Sequence, residues 1–262
     1  MAIRPIRVFV RFYAELNDFL PPDRRHRLLA CDLVEHDSVK DVIESQGVPH
    51  TEVELIVANG EPVGFEYRVD DGDRIAVYPH FQRIDISGLP ALRPALDEPR
   101  FVLDTHLGTL ARYLRVLGFD ALYRNDYDDE TLARVAHDEA RILLTRDRGL
   151  LKRSLVTHGY HVWSTRPAQQ VAEVLRRFDL FDRVAPFRRC PRCNGVVEPV
   201  PKAAVVDQLL PKTRQFYDEF GRCAACGQVY WKGPHYDHMR RLMEGWGTPP
   251  PATRRAQGAP GG

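Results

Sequence analysis

Two Cys-x-x-Cys pairs, Cys190-Pro-Arg-Cys193 and Cys223-Ala-Ala-Cys226, constrain this chain more than any other feature. Twenty-nine residues separate them. Two residues between cysteines let one tight turn present both sulfurs to one ion, and zinc prefers a tetrahedral shell of soft thiolates. Each pair runs straight into turn residues, Asn194-Gly195 and Gly227, which suit the positive φ such a knuckle needs. The pattern predicts a structural zinc ribbon with Cys190, Cys193, Cys223 and Cys226 as ligands. The competing readings are two disulfides or a redox pair. Disulfides require an oxidising compartment. The opening Met1-Ala2-Ile3-Arg4-Pro5-Ile6-Arg7 lacks the apolar core of an export signal, and no apolar run reaches bilayer length. These features predict a cytoplasmic protein. The fifth cysteine, Cys31, lies in an apolar stretch and reads as a small buried hydrophobe.

A net charge of +1 over 262 residues conceals an asymmetry. Residues 1–99 carry 11 Lys and Arg against 18 Asp and Glu, and residues 100–262 carry 26 against 18. The second half is the one suited to a polyanion.

The chain reads as several units. Ile6 to Phe12 alternates with period two, His26 to Leu33 is a second strand, and Ser38-Val39-Lys40-Asp41 opens a helix with a capping-box pattern that Gly47 ends. Val53 to Ala58, the Asn59-Gly60 turn and the stretch from Pro62 form a hairpin; Asp71-Gly72 turns the chain again before Ile75 to Tyr78. This order resembles the ubiquitin-like β-grasp fold, most closely the sulfur carriers of the ThiS and MoaD type. Those carriers end in Gly-Gly, whereas here Tyr78-Pro79-His80-Phe81 occupies the tail position and the chain continues. The departure favours a binding or regulatory role over sulfur transfer. Residues 84–99 have linker composition, with Gly88, Pro90, Pro94 and Pro99.

Beyond the linker, strands alternate with helices. Arg100 to Asp104, Ala121 to Tyr123, Ile142 to Thr145 and His161 to Trp163 read as strands. Helices start near Leu107, Asp129 and Pro167, and Gly118 stops the first of them. Repeated βα units predict a parallel sheet with helices on both faces. The expected units are a β-grasp domain (1–82), a linker (83–99), a parallel α/β domain (100–186), the zinc ribbon and following segment (187–244), and a disordered tail (245–262).

Parallel sheets place functional groups at the carboxyl ends of their strands. The first such strand ends in Asp104, the second leads to Asp126, Asp128, Asp129 and Glu130, and the third ends in Leu144-Thr145-Arg146-Asp147. Clustered carboxylates need cations to stay ionised together, and magnesium or manganese suit oxygen ligands. Each acid is also a plausible helix cap. Arg146, Arg148 and Lys152 flank Asp147, and Arg112 lies on the first helix; arginine pairs bidentately with phosphate.

Several ordered stretches carry a resemblance. Phe101-Val102-Leu103-Asp104 with Leu107 to Asp120, Asp128-Asp129-Glu130, Ile142 to Asp147, the two cysteine pairs and Val229 to Tyr236 together resemble the PIN-like RNase domain with a fused zinc ribbon, first named from a mutator exonuclease. Prokaryotic members are similar in carrying a ubiquitin-like domain. The resemblance implies a metal-dependent ribonuclease with RNA as partner, and ribosome or tRNA among the candidate associates. By position it implies Asp104 and Asp147 as magnesium or manganese ligands, with a middle acid among Asp128, Asp129 and Glu130. Arg112, Arg146, Arg148 and Lys152 are the RNA-binding candidates. The fourth carboxylate of many PIN nucleases is replaced here by Ser164-Thr165-Arg166. Aromatic and basic residues after the second pair, Tyr230, Trp231, His235, Tyr236 and His238, could stack bases or pack the ribbon onto its neighbour. The alternatives are a non-catalytic RNA- or ribosome-associated binding protein and a sulfur-carrier-like protein.

Overall fold

The structure, a computed structural model, describes residues 5–34, 37–81, 86 and 88–233. The tail at 245–262 and His235, Tyr236 and His238 lie outside them. Among the described residues no helix is long and apolar enough to cross a membrane.

The first unit contains β1 (Pro5–Phe12), β2 (Leu28–Val34), α1 (Val39–Ser45), β3 (Val53–Ala58), β4 (Glu61–Val63) and β5 (Arg74–Pro79). Its sheet runs β2-β1-β5-β3-β4, with β1 parallel to β5 and every other pairing antiparallel. This is the ubiquitin-like fold. Alternation along β1 sends Ile6, Val8, Val10 and Phe12 inward against Val39, Val42 and Ile43 of α1. Ser38 and Asp41 close the capping box reciprocally, and Asn59-Gly60 turns at φ 52° and 95°. The second strand starts at Leu28 rather than His26, because His26 sits at φ 58° and ends a turn. Cys31 is buried in this core.

The connection is tied down at both ends. The buried Arg93 guanidinium donates to Thr51 O at 2.7 Å and also to Val53 O. Leu92 packs on the first core and Leu96 on the second.

The second unit contains β6 (Phe101–Leu103), α2 (Gly108–Val116), β7 (Ala121–Tyr123), α3 (Asp129–Asp138), β8 (Ile142–Thr145), α4 (Arg148–Leu151), β9 (Gly159–His161) and α5 (Pro167–Arg177). Its four strands are all parallel in the order β7-β6-β8-β9. Phe101, Leu103, Ile142 and Leu144 face α2 and α5, while Val102 and Leu143 face α3 and α4. The strand expected at His161 to Trp163 lies two residues earlier. The reason is that the Trp163 and Ser164 N–H groups are taken by the Glu173 carboxylate at 2.7 and 3.0 Å, which leaves them outside the ladder.

Both edges of this sheet are closed by side chains from the flanking units. At the β9 edge, Glu52 Oε1 accepts the His161 N–H at 2.6 Å. At the β7 edge, Asn194 Oδ1 accepts the Ala121 N–H at 3.0 Å. A side-chain oxygen thus satisfies one outward amide on each edge strand, where an added strand would otherwise pair.

The third unit is a small antiparallel sheet of β10 (Val197–Val200), β11 (Phe220–Cys223) and β12 (Val229–Trp231), with the short α6 (Pro211–Phe216) between β10 and β11. Val205, Leu209, Phe220 and Val229 form its core.

Candidate functional site

The four cysteines come together. Their sulfurs all lie within 4.8 Å of one another, with Cys190 and Cys223 buried and Cys193 and Cys226 exposed. Cys190 Sγ stands 3.7 Å from Cys226 Sγ and Cys193 Sγ 3.4 Å from Cys223 Sγ, too far for disulfides. Burial opposes ionisation of Cys190, but the Tyr230 hydroxyl at 3.0 Å and the N–H groups of Cys193 and Arg192 outweigh it and hold its thiol at about 7. Cys193 is pushed up to about 12, by desolvation first and then by the neighbouring thiols. Four sulfurs this close cannot all ionise unaided, and a divalent ion removes that conflict. Four soft donors in two knuckles fit zinc.

Those knuckles are joined to the parallel sheet. Asn194, at φ 69°, donates Nδ2 to Asp120 Oδ1 at 2.7 Å while its Oδ1 takes the Ala121 N–H. Arg141 donates to the same carboxylate at 2.7 Å. Burial would raise the Asp120 carboxyl, but hydrogen bonds from Arg141 and Asn194 and the charges of Arg141 and Arg189 keep it below the usual range.

At the carboxyl ends of β6 and β8 lies a cleft of about 580 Å³, walled by Asp104, Thr105, His106, Asp129, Arg146, Asp147 and Arg148. Asp104 is 9% exposed; its Oδ2 accepts Thr145 Oγ1–H at 2.7 Å and its Oδ1 accepts Thr105 Oγ1–H at 3.1 Å. Thr145 Oγ1 in turn accepts the Asp147 N–H at 2.9 Å, so one buried hydroxyl links the two acids. Asp147 is exposed and caps α4, accepting Gly149 and Leu150 N–H through Oδ1 at 2.7 and 3.4 Å.

The middle acids separate by role. Asp128 caps α3 by accepting the Thr131 N–H at 2.7 Å; the Thr131 hydroxyl first, and then that N–H, hold its carboxyl below the usual range. Glu130 faces Arg134 one turn on, at 3.8 Å, and Asp126 pairs with Arg124. Asp129 is the one that faces the cleft, with Arg153 at 3.8 Å. Among the described residues the cysteine quartet is the one group of three or more potential ligands drawn within ligating distance; the cleft carboxylates stand further apart.

The basic residues divide as well. Arg146 is exposed at the cleft without a hydrogen-bond or ion-pair partner among the described residues. Arg148 lines the cleft, yet its Nη1 donates to Phe19 O at 3.0 Å in the ubiquitin-like unit. Lys152 Nζ reaches Glu44 O at 2.6 Å. Arg112 is exposed on α2, outside the cleft wall. Sequence reasoning missed Thr105, His106 and Thr145. The signal available for Thr145 was a hydroxyl ending an all-apolar strand two residues before an acid. A second hollow of about 420 Å³, on the ribbon between Val197, Pro199, Phe220 and Trp231, contains none of the three cleft aspartates.

Comparison with curated proteins gives no match. Residues 99–243 match the family model described as the Mut7-C RNAse domain, and residues 6–85 match the one described as Mut7-C ubiquitin. With more than half its length matched, on a fold that pairs a ubiquitin-like unit with a parallel α/β unit and a four-cysteine module, the chain belongs to the Mut7-C RNAse domain family.

Proposed function

We propose that this chain is a metal-dependent endoribonuclease. The observation that carries the reading is the convergence of Asp104, Asp129 and Asp147, with Arg146, on one cleft at the strand ends of an RNase-family domain. Three carboxylates form an oxygen donor set suited to magnesium or manganese. Such an ion, when bound, lowers the pKa of its water and offsets charge on a phosphodiester. Asp104 and Asp147 would be its principal holders, with Asp129 as the third carboxylate. Thr145 and Thr105 orient the Asp104 carboxylate through their hydroxyls. Arg146, exposed at the mouth, binds a phosphate of the strand. Water attacks phosphorus in line and gives its proton to solvent, the phosphorus–oxygen bond to the leaving sugar breaks, and the departing sugar oxygen takes a proton from solvent to leave as the alcohol. Zinc at the four cysteines holds shape and takes no part in this chemistry.

The test is cleavage of single-stranded and structured RNA by the purified chain with manganese. Asp104→Asn and Asp147→Asn should each abolish it while the variants melt as the parent does. Undiminished cleavage in both variants would refute the assignment.

A second reading, RNA binding without cleavage, draws on the Ser164-Thr165-Arg166 stretch that follows the last strand without an acid, and on the spacing of the cleft carboxylates. It requires salt-sensitive RNA affinity that the same substitutions leave unchanged, with no cleavage by the parent.

A further inference from the structure

The ubiquitin-like unit meets the parallel sheet at the β9 edge, and one of its contacts reaches the cleft. Phe19 ends a 3-10 turn (Ala14–Phe19) and is 5% exposed. Its ring lies 4.9 Å from that of Trp163 and 5.7 Å from that of His161, centroid to centroid. The Arg148 guanidinium sits over the Phe19 ring at 5.0 Å and over the Trp163 ring at 5.4 Å, while Nη1 donates to Phe19 O. Arg148 adjoins Asp147 and forms part of the cleft wall.

Among the described residues, the other hydrogen bonds across this interface have no such double membership. His50 Nε2 donates to Val156 O at 2.8 Å, Glu52 accepts the His161 N–H, and Lys152 donates to Glu44 O; none of these residues walls the cleft. Those contacts dock the unit. The Phe19 contact fixes a cation beside a carboxylate.

A guanidinium carries five N–H donors, and the bond to Phe19 O uses one. A cation already held over two aromatic rings and by a carbonyl gives up little further freedom when it binds a phosphate. A free arginine on a surface turn gives up more. Arg146 and Arg148 therefore differ in kind, one free and one oriented in advance.

We infer that the ubiquitin-like unit completes the cleft: Phe19, with Trp163, positions the Arg148 guanidinium to bind the RNA phosphate next to Asp147. This rests on the reading of the cleft as an RNA phosphate site. Phe19 and Trp163 are positioning residues and act through Arg148.

The experiment is a double-mutant cycle on the full chain. Binding of a fluorescein-labelled oligouridylate is followed by anisotropy at low salt without added divalent ions, so no cleavage intervenes. Arg148→Ala should weaken binding about tenfold and reduce the salt slope by about one. Phe19→Leu and Trp163→Leu, which keep an apolar side chain and remove the ring, should each weaken it about threefold. In the Arg148→Ala background neither should weaken it further. In steady-state cleavage KM should rise while kcat holds. The inference is overturned if either ring variant leaves affinity unchanged while melting cooperatively, or weakens it by the same factor without Arg148. Should Phe19→Leu fail to fold, Trp163→Leu decides, since Trp163 is 37% exposed and belongs to the other unit. Cleavage left undiminished by both Asp104→Asn and Asp147→Asn would refute the cleft as the cleavage site, and the binding cycle is judged independently of it.

Discussion

Glu52 offers the sharpest quantitative test of how the units are joined. It is 4% exposed at the β9 edge, and its carboxylate accepts the His161 N–H at 2.6 Å. Burial raises its pKa from 4.5 to about 7, against the opposing pull of Arg177, the His161 N–H and Arg93. The sign follows from linkage. Below 4.5 both folded and unfolded chains hold the proton. Between 4.5 and about 7 the unfolded chain releases it and the folded chain keeps it, so stability falls as pH rises through this window and levels above it. The loss amounts to about 3 kcal/mol, to order of magnitude. Glu52→Gln keeps an oxygen for the His161 N–H and removes the charge. The variant should match the parent at pH 4 and exceed it by about 3 kcal/mol at pH 8. Two histidines shape the parent profile in the opposite sense. His158 and His161 are held down to about 4, by burial first and then by Arg93 and by Arg148 with Arg146 respectively. Each contributes stability above 6.5 that is lost as pH falls toward 4. The difference between parent and variant cancels them. Urea unfolding from pH 4 to 8 measures that difference. A difference that stays flat with pH, or a variant less stable than the parent at pH 8, would refute the reasoning.

Thr145→Val removes the hydroxyl shared by Asp104 and Asp147 and should cost about 1–3 kcal/mol in urea unfolding, with Thr145→Ser recovering most of it; equal losses in the two variants would mean that packing, not hydrogen bonding, is at stake. Asn194→Ala leaves the Ala121 N–H and one Asp120 contact unpaired and should cost about 2 kcal/mol by thermal melting, while zinc content by elemental analysis should equal the parent's. An Asn194→Ala chain that melts with the parent would uncouple the ribbon from the sheet. Gly118→Ala should be strongly destabilising, because Gly118 has φ 96° and an added Cβ would run into Ala185 O; the strain is on the order of 1–3 kcal/mol or more, and an unchanged melting temperature would contradict it.

Much of this molecule was legible along the chain because its signals are local. The capping box at Ser38 and Asp41, the Asn59-Gly60 turn and Gly118 each reflect backbone requirements met within a few residues. The four cysteines are nearly as direct, since two tight knuckles account for all four sulfurs. The alternation of apolar strands and amphipathic helices gave the parallel sheet for the same reason: periodicity reports which face is buried.

Other decisions belonged to the tertiary structure. Sequence placed three consecutive acids at the start of α3 without distinguishing them; the helix start turned Asp128 onto the Thr131 N–H, Glu130 toward Arg134 and only Asp129 toward the cleft. Sequence made Arg148 and Lys152 resemble Arg146 as free cations, yet carbonyls of Phe19 and Glu44, more than a hundred residues away, accept hydrogen bonds from them. The edges of the parallel sheet are closed by Glu52 and Asn194, one from each flanking unit, and neither residue carries a local sign of that task. The chain alone determined most elements of the first two units and which four sulfurs meet, because those depend on near neighbours. What each polar side chain does depended on which distant backbone group came within hydrogen-bond reach, and only packing decides that.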